Sequence, residues 1–189
     1  MTGADRMLAE LSEDLDGGYG AFVRAHADTV YCAALRLCRS PADAEDIAQE
    51  TFVRAYRSLQ RFEPARLRAL EARPWLLTIT LNLWRNRLRA AGRRPRTTPD
   101  THAPEAVDLR PGPHEAAERS ETSRALVRLL ETLPERQRVA VVLHHVVGLS
   151  YPEVAAVLAC PVGTAKASVA RGLERLRQAG ARPEHPEEK

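Results

Sequence analysis

The sequence is short of aromatics, lysine, cysteine and long apolar runs, and each shortage excludes something. Phe, Trp and Tyr make up 5% of 189 residues. That is too few for a sheet-rich protein, since strands favour aromatic and β-branched side chains. No run approaches the roughly 20 apolar residues that a membrane-spanning helix needs. Met1 to Gly17 is acidic, without the basic-then-apolar layout of a secretion signal, so a cytoplasmic protein is expected. Cys32, Cys38 and Cys160 cannot all pair with one another, form no CxxC, and have no histidine at zinc-ligand spacing. Neither a disulfide framework, nor a metal, nor a cofactor is expected. Glycine-rich phosphate loops, HExxH and nucleophile motifs are missing too. The one eye-catching pair, His144-His145, consists of adjacent residues, which point in different directions on a helix. Catalysis is therefore not expected.

What is present is globular composition, with 44% hydrophobic and 28% charged residues. The length suits one or two domains. Net charge is only +3, but of the 28 basic residues only Lys166 and Lys189 are lysine. The rest are arginine, the better bidentate ligand for phosphate and guanine.

Glycine, proline and charge divide the chain. An acidic leader over 1–18 (Glu10, Glu13, Asp14, Asp16) closes at Gly17-Gly18. Helical periodicity runs over 19–91. A linker with lead-in occupies 92–121, where residues 92–114 hold five of the 13 prolines and almost no bulky apolar side chain. Helical periodicity returns over 122–179, and 180–189 is a polar tail. The expected fold is all-α, two small helical domains on a flexible tether. Ser40-Pro41-Ala42-Asp43 reads as a helix start, with an N-cap, a first-position proline and a first-turn acid. Thr132 to Glu135 and Ser150 to Glu153 both fit a capping box.

The C-terminal half carries the clearest motif. Ser150 opens a short helix with Val154, Ala155 and Leu158 facing inward. Ala159-Cys160-Pro161-Val162 breaks it, and a second helix follows from about Gly163 to Gln178. Its apolar stripe is Ala165, Val169, Gly172, Leu173 and Leu176. Ala167, Ala170, Arg171 and Glu174 lie opposite, flanked by Thr164, Ser168 and Arg175 on one side and Lys166 and Arg177 on the other. Two helices, a tight turn and a basic outward face form a helix-turn-helix that reads DNA. The small Ala167 and Ala170 allow close approach to the major groove. Arg171 reaches a guanine edge or a phosphate, and Lys166, Arg175 and Arg177 neutralise phosphates.

In the N-terminal half, Ala44, Ile47, Ala48, Thr51, Phe52, Ala55 and Leu59 form a buried stripe. Asp46, Gln49 and Glu50 share another side of the same helix. Further on, Trp75, Ile79, Leu83 and Leu88 can line one face, and Asn82, Arg85, Asn86 and Arg89 another. From Thr78 to Pro99 there is no Asp or Glu, against six arginines (85, 87, 89, 93, 94 and 96). Such a block faces an anion.

Leu133-Pro134, Arg138, Gly148 to Ala155 and Cys160 to Lys166 closely resemble the sigma-4 domain of extracytoplasmic-function (ECF) sigma factors of the sigma-70 type. Asp43 to Tyr56 resembles their sigma-2 domain. The resemblance implies that Asp46, Gln49 and Glu50 dock on the β′ clamp helices of core RNA polymerase. It implies that Asn82, Arg85, Asn86 and Arg89 meet the −10 element, with the loop from about Glu63 to Glu71 where a flipped base is captured. It implies that Thr164, Lys166, Ser168, Arg171 and Arg175 read the −35 element from a domain seated at the β flap. Partners would be core polymerase, promoter DNA and an anti-sigma protein. Two stretches depart from the family. Ala165-Lys166-Ala167-Ser168 stands where Val-Lys-Ser-Arg is usual, and Pro64 to Glu71 is bulkier and more basic than the usual Gly/Ser-rich loop. The alternative is a stand-alone helix-turn-helix regulator, dimeric on a palindromic site.

Overall fold

The structure, a computed structural model, describes residues 3–38, 40–93 and 125–180. Among these residues all regular structure is helical. The chain divides into two units, one within Met1–Ala103 and one within Pro104–Lys189. Most of the expected linker, with Arg94 and Arg96, and all but the first residue of the expected tail lie outside the described residues.

The N-terminal unit is built from α1 (Gly3–Glu13), α2 (Leu15–Leu37), α3 (Pro41–Leu59), α4 (Pro64–Arg68) and α5 (Ala72–Arg93). Helix α3 starts as its sequence dictates. The Ser40 side chain accepts the Asp43 N–H at 3.4 Å, and Pro41 opens the first turn. Ala44, Ile47, Thr51, Ala55 and Leu59 are buried at three- and four-residue steps. They pack against α2 and α5. The buried Thr51 and Thr80 hydroxyls meet between α3 and α5 at 3.3 Å. Each donates to the carbonyl one turn back, Ile47 at 2.7 Å and Leu76 at 2.9 Å, so neither leaves an orphan proton in the core.

The expected leader over 1–18 is corrected here. Leu8 and Leu11 are 5% and 1% exposed and join Phe22, Leu59, Leu67 and Leu76 in one core cluster. Gly17-Gly18 does not close a leader, because α2 runs through both residues from an N-cap at Asp14, whose carboxylate accepts the Gly17 N–H at 3.0 Å. A Cβ on Gly18 would stand 3.3 Å from the Leu11 backbone. The glycine serves helix-helix approach, and the acidic residues lie on the outer faces of an amphipathic pair.

Helix α5 also differs from its expected stripe. Leu76, Leu77, Leu81, Leu83 and Trp84 are buried, whereas Leu88 is 45% exposed. Helix α5 packs against both α2 and α3, and its buried residues end at Trp84, so the buried arc up to that point is wider than one stripe.

His26 lies in this core, 8% exposed, edge-on to Phe22 at 4.8 Å, with no hydrogen-bond partner for Nε2. Burial, and then the charge of Arg73, hold its pKa below the ordinary 6.5. The folded state therefore binds fewer protons than the unfolded one. Its stability is expected to be undiminished above that ordinary value and to fall as pH drops through it toward the lower folded value. Thermal melts at stepped pH check this. His26→Leu should flatten the dependence, and an unaltered slope would assign it to other groups.

The C-terminal unit comprises a helix over 125–131 (α6), α7 (Glu135–Val141), a π-helical turn (Val142–Val146), α8 (Tyr151–Val157) and α9 (Val162–Gly180). Leu130, Leu133, Val139, Leu143, Leu149, Val154, Ala165 and Val169 form its core, each at most 2% exposed. Helices α7 and α9 touch at Gly172, where a Cβ would fall 2.6 Å from the Val141 methyl. The Ser150–Glu153 capping box forms. The Thr132–Glu135 box does not: Thr132 donates back to the Leu129 carbonyl at 2.7 Å, and Pro134 caps α7 without a side-chain bond. Val157, not Leu158, completes the buried face of α8. Ala159 adopts a left-handed φ of 48° beyond its end.

Candidate nucleic-acid interface

Helices α8 and α9 meet at 99°, within the range of a helix-turn-helix. Capping sets the start of α8, and left-handed Ala159 with Pro161 sets the turn. Lys166, Ala170, Arg171 and Arg175 are exposed on α9, and Thr164 is half-buried in its first turn. The small Ala167 and Ala170 lie among these cations, so a convex basic surface can approach a groove closely.

Ser168 does not belong to that surface. It is 1% exposed and donates to the Thr164 carbonyl at 2.8 Å. Placed at the edge of the basic face by the sequence, it lies in the buried stripe with Ala165 and Val169. A serine can enter a core because a backbone carbonyl one turn back takes its proton.

The turn before α8 holds an aromatic stack. The Val147 N–H reaches the Val142 carbonyl at 3.0 Å, a five-residue step. His144 Nδ1 bonds the Leu149 carbonyl at 2.7 Å. Its ring stacks on Tyr151 with centroids 4.2 Å apart and planes at 21°. The Lys166 ammonium lies 5.6 Å from the Tyr151 centroid. His145 meets His144 edge-on at 4.7 Å. Sequence reasoning gave this pair no role, because stacking onto Tyr151 depends on a turn geometry that periodicity does not encode.

In the N-terminal unit, Asn82, Asn86 and Arg89 are exposed on α5 and Arg85 is half-exposed beside them. Arg87, counted with the anion-facing block, turns instead to α3. It binds Asp43 at 2.9 Å and Asp46 at 3.2 Å. On α3, Asp46 and Gln49 are exposed and Glu50 partly so, with Glu50 bonded to Arg54 at 2.7 Å. Between α3 and α5 runs an open groove with acid on its α3 wall and Val53, Leu83 and Ala90 along its floor and rim.

The Glu63 to Glu71 segment, expected as a loop, contains the helical turn α4. Leu67 is 5% exposed and Arg68 reaches Ser12 at 3.3 Å. The Arg66 guanidinium lies 3.8 Å above the Phe62 ring, which tilts against Trp75 at 5.7 Å. Trp84 is 3% exposed, a core residue, and Trp75 is half-buried.

All three cysteines are free thiols. Burial, and then Asp43, push Cys38 up to about 11, which keeps it protonated and unreactive. Among the described residues no group of three or more His, Cys, Asp or Glu gathers as a metal site. No single helix among them is long and apolar enough to cross a membrane.

Residues 22–94 match the family Sigma-70 region 2, and residues 123–176 match Sigma-70, region 4. The chain is 38% identical over 156 residues to the ECF RNA polymerase sigma factor SigE of Mycolicibacterium smegmatis, covering 82% of this chain but only 58% of that protein. It is 36% identical over 143 residues to the ECF RNA polymerase sigma-E factor of Escherichia coli K12, covering 71% of this chain and 72% of that one. Among solved structures, CnrH in complex with the cytosolic domain of CnrY matches with a TM-score of 0.71 and 25% identity, over 94% of this chain and 97% of that chain. The sigma factor RpoE of Bartonella quintana, solved with the anti-sigma factor NepR, matches in fold with a TM-score of 0.63 and 23% identity, over 85% and 94%.

Proposed function

Because the chain belongs to the ECF RNA polymerase sigma factors, we propose that it binds core RNA polymerase, carries it to a class of promoters, and holds the DNA strands apart near the start site. The observation that carries this is the presence, in order in one chain, of region 2 and region 4 matches. In this reading Asp46, Gln49 and Glu50 dock on the polymerase β′ clamp helices. Asn82, Arg85, Asn86 and Arg89 meet the −10 DNA, and Thr164, Lys166, Arg171 and Arg175 meet the −35 DNA from the β flap. The boundaries are 19–91 for the −10 unit, extended upstream by α1, and 122–179 for the −35 unit, with 92–121 as tether. The protein acts by binding alone, in the cytoplasm where polymerase and promoters are. Strand opening draws on the free energy of holding the displaced strand. The likeness in fold to a sigma factor solved with an anti-sigma factor supports such a partner here. A stand-alone regulator would leave region 2 without a role.

The deciding experiment is titration of the labelled chain into core polymerase from its own host, without DNA. Tight one-to-one binding is expected. A folded chain that fails to bind would overturn the reading.

Residue by residue, Arg171→Ala is expected to weaken selection of the −35 sequence by about 5–150-fold, the value of one bidentate base contact. Ser168→Ala should leave that selection unchanged, because Ser168 faces the core. Competition between matched and scrambled −35 duplexes on the holoenzyme reads both. Equal losses would mean that α9 is rotated from the face described.

A further inference from the structure

We propose that His144 is a positioning residue for DNA contact, acting through Tyr151 on Lys166. This rests on the reading of α9 as the −35 helix.

The chain of contacts is continuous. The π-helical turn ends the helix before the reading motif, and a helix widened in this way often marks a functional site. It sets His144 beside the turn that enters α8. A carbonyl only accepts, so the 2.7 Å contact with Leu149 fixes the proton on Nδ1 and orients the ring. The oriented ring lies almost flat on Tyr151, at 4.2 Å and 21°. Tyr151 is the first residue of α8, directly after the Ser150 cap. His144 covers one face of its ring. Lys166 on α9 stands 5.6 Å from the ring centroid, within cation–π range. A lysine carries a long, freely rotating stem, and its ammonium is a point charge without the preorganised fork of arginine. Lys166 is the only lysine among the described residues, in a chain otherwise built with arginine. The stack replaces the missing preorganisation by giving the ammonium one preferred resting place at the edge of the reading face. A phosphate of the −35 duplex then meets a cation that has already lost part of its freedom.

Four replacements on the full chain, bound to core polymerase, test this. The probe is a duplex that the wild-type holoenzyme retains from a randomised −35 pool. His144→Ala should weaken retention about threefold to fivefold, the scale of an exposed cation–π contact. His144→Phe keeps a ring to stack on Tyr151 but loses the Leu149 bond that orients it, and should retain the duplex better than His144→Ala and less well than wild type. His144→Asn keeps a donor for Leu149 and loses the ring, and should bind as His144→Ala does. Lys166→Ala should lower the dependence of log affinity on log salt by about 0.9. In that background His144→Ala should cost nothing more. Unaltered retention by His144→Asn, with the melting temperature unchanged, would overturn the proposal. So would a His144→Ala deficit that persists in full without Lys166, since that is a folding effect. Arg171→Ala separates the two levels of the argument. If it abolishes sequence selection while the His144 variants do nothing, only the positioning role fails. If the wild-type holoenzyme selects no sequence, the −35 reading fails and the positioning role with it.

Discussion

Reversing Asp46 and Glu50 to lysine is expected to weaken binding to core RNA polymerase about a hundredfold. Two acids that face a basic partner helix lose their attraction and gain repulsion, and each tenfold corresponds to about 1.4 kcal/mol. The fold should survive. The internal partners of these acids, Arg87 and Arg54, lie in solvent-exposed ion pairs, which contribute about 0–1 kcal/mol each. Arg87 also keeps Asp43 at 2.9 Å. Titration of fluorescent chain into core polymerase reads the affinity, and a duplex-binding assay on the free chain shows whether the helix-turn-helix is intact. Unchanged polymerase affinity would move the docking face off α3.

Leu11→Ala is expected to destabilise the N-terminal unit by about 2–5 kcal/mol, the range for a fully buried leucine. Such a unit holds only about 5–15 kcal/mol in total, so the loss is a large fraction of its stability. The consequence reaches α4, because Leu11 and Leu67 share one core cluster and Arg68 reaches across to Ser12. Hydrogen exchange should therefore quicken in α1 and α4 first, with the C-terminal unit unaffected. A dispensable leader would show no change at either place.

The sequence made the elements legible wherever a local device fixes them. Ser40 with Pro41 and Ser150 with Glu153 place their helix starts correctly, because a cap needs only residues within one turn. The helix-turn-helix was legible for the same reason. Faces were harder. Ser168 is placed at the edge of the DNA side by its helical position and by the family likeness, while its proton goes to a carbonyl of its own helix and the rest of the residue packs as an alanine would. Leu88 was assigned to the core because periodicity continues past Trp84, where the bundle no longer covers α5. Arg87 was counted as a cation for DNA because composition does not show that α3 brings Asp43 and Asp46 beneath it. The acidic sequence of α1 hid Leu8 and Leu11, since charge dominates a segment whose few apolar residues all point one way. The misses at Leu88, Arg87 and α1 concern what a distant element supplies or fails to supply. The residues proposed for polymerase and DNA are read through likeness to a family, and their roles rest on the experiments above.

The π-helical turn has a further consequence, one of phase. An α-helix advances about 100° per residue, and a five-residue hydrogen-bond step accommodates one residue more than the ordinary ladder does. The segment from Val142 to Val146 therefore works as a spacer that resets the angular relation between α7 and everything after it. Val139 to Val141 stay in the core on one side of the spacer and Leu149 on the other. His144 falls to the seam between core and reading motif. The helix that anchors this unit and the helix that reads DNA are thus keyed to each other by a single surplus residue. Drift in the length of this segment would be felt as rotation of the reading surface before it was felt as loss of fold.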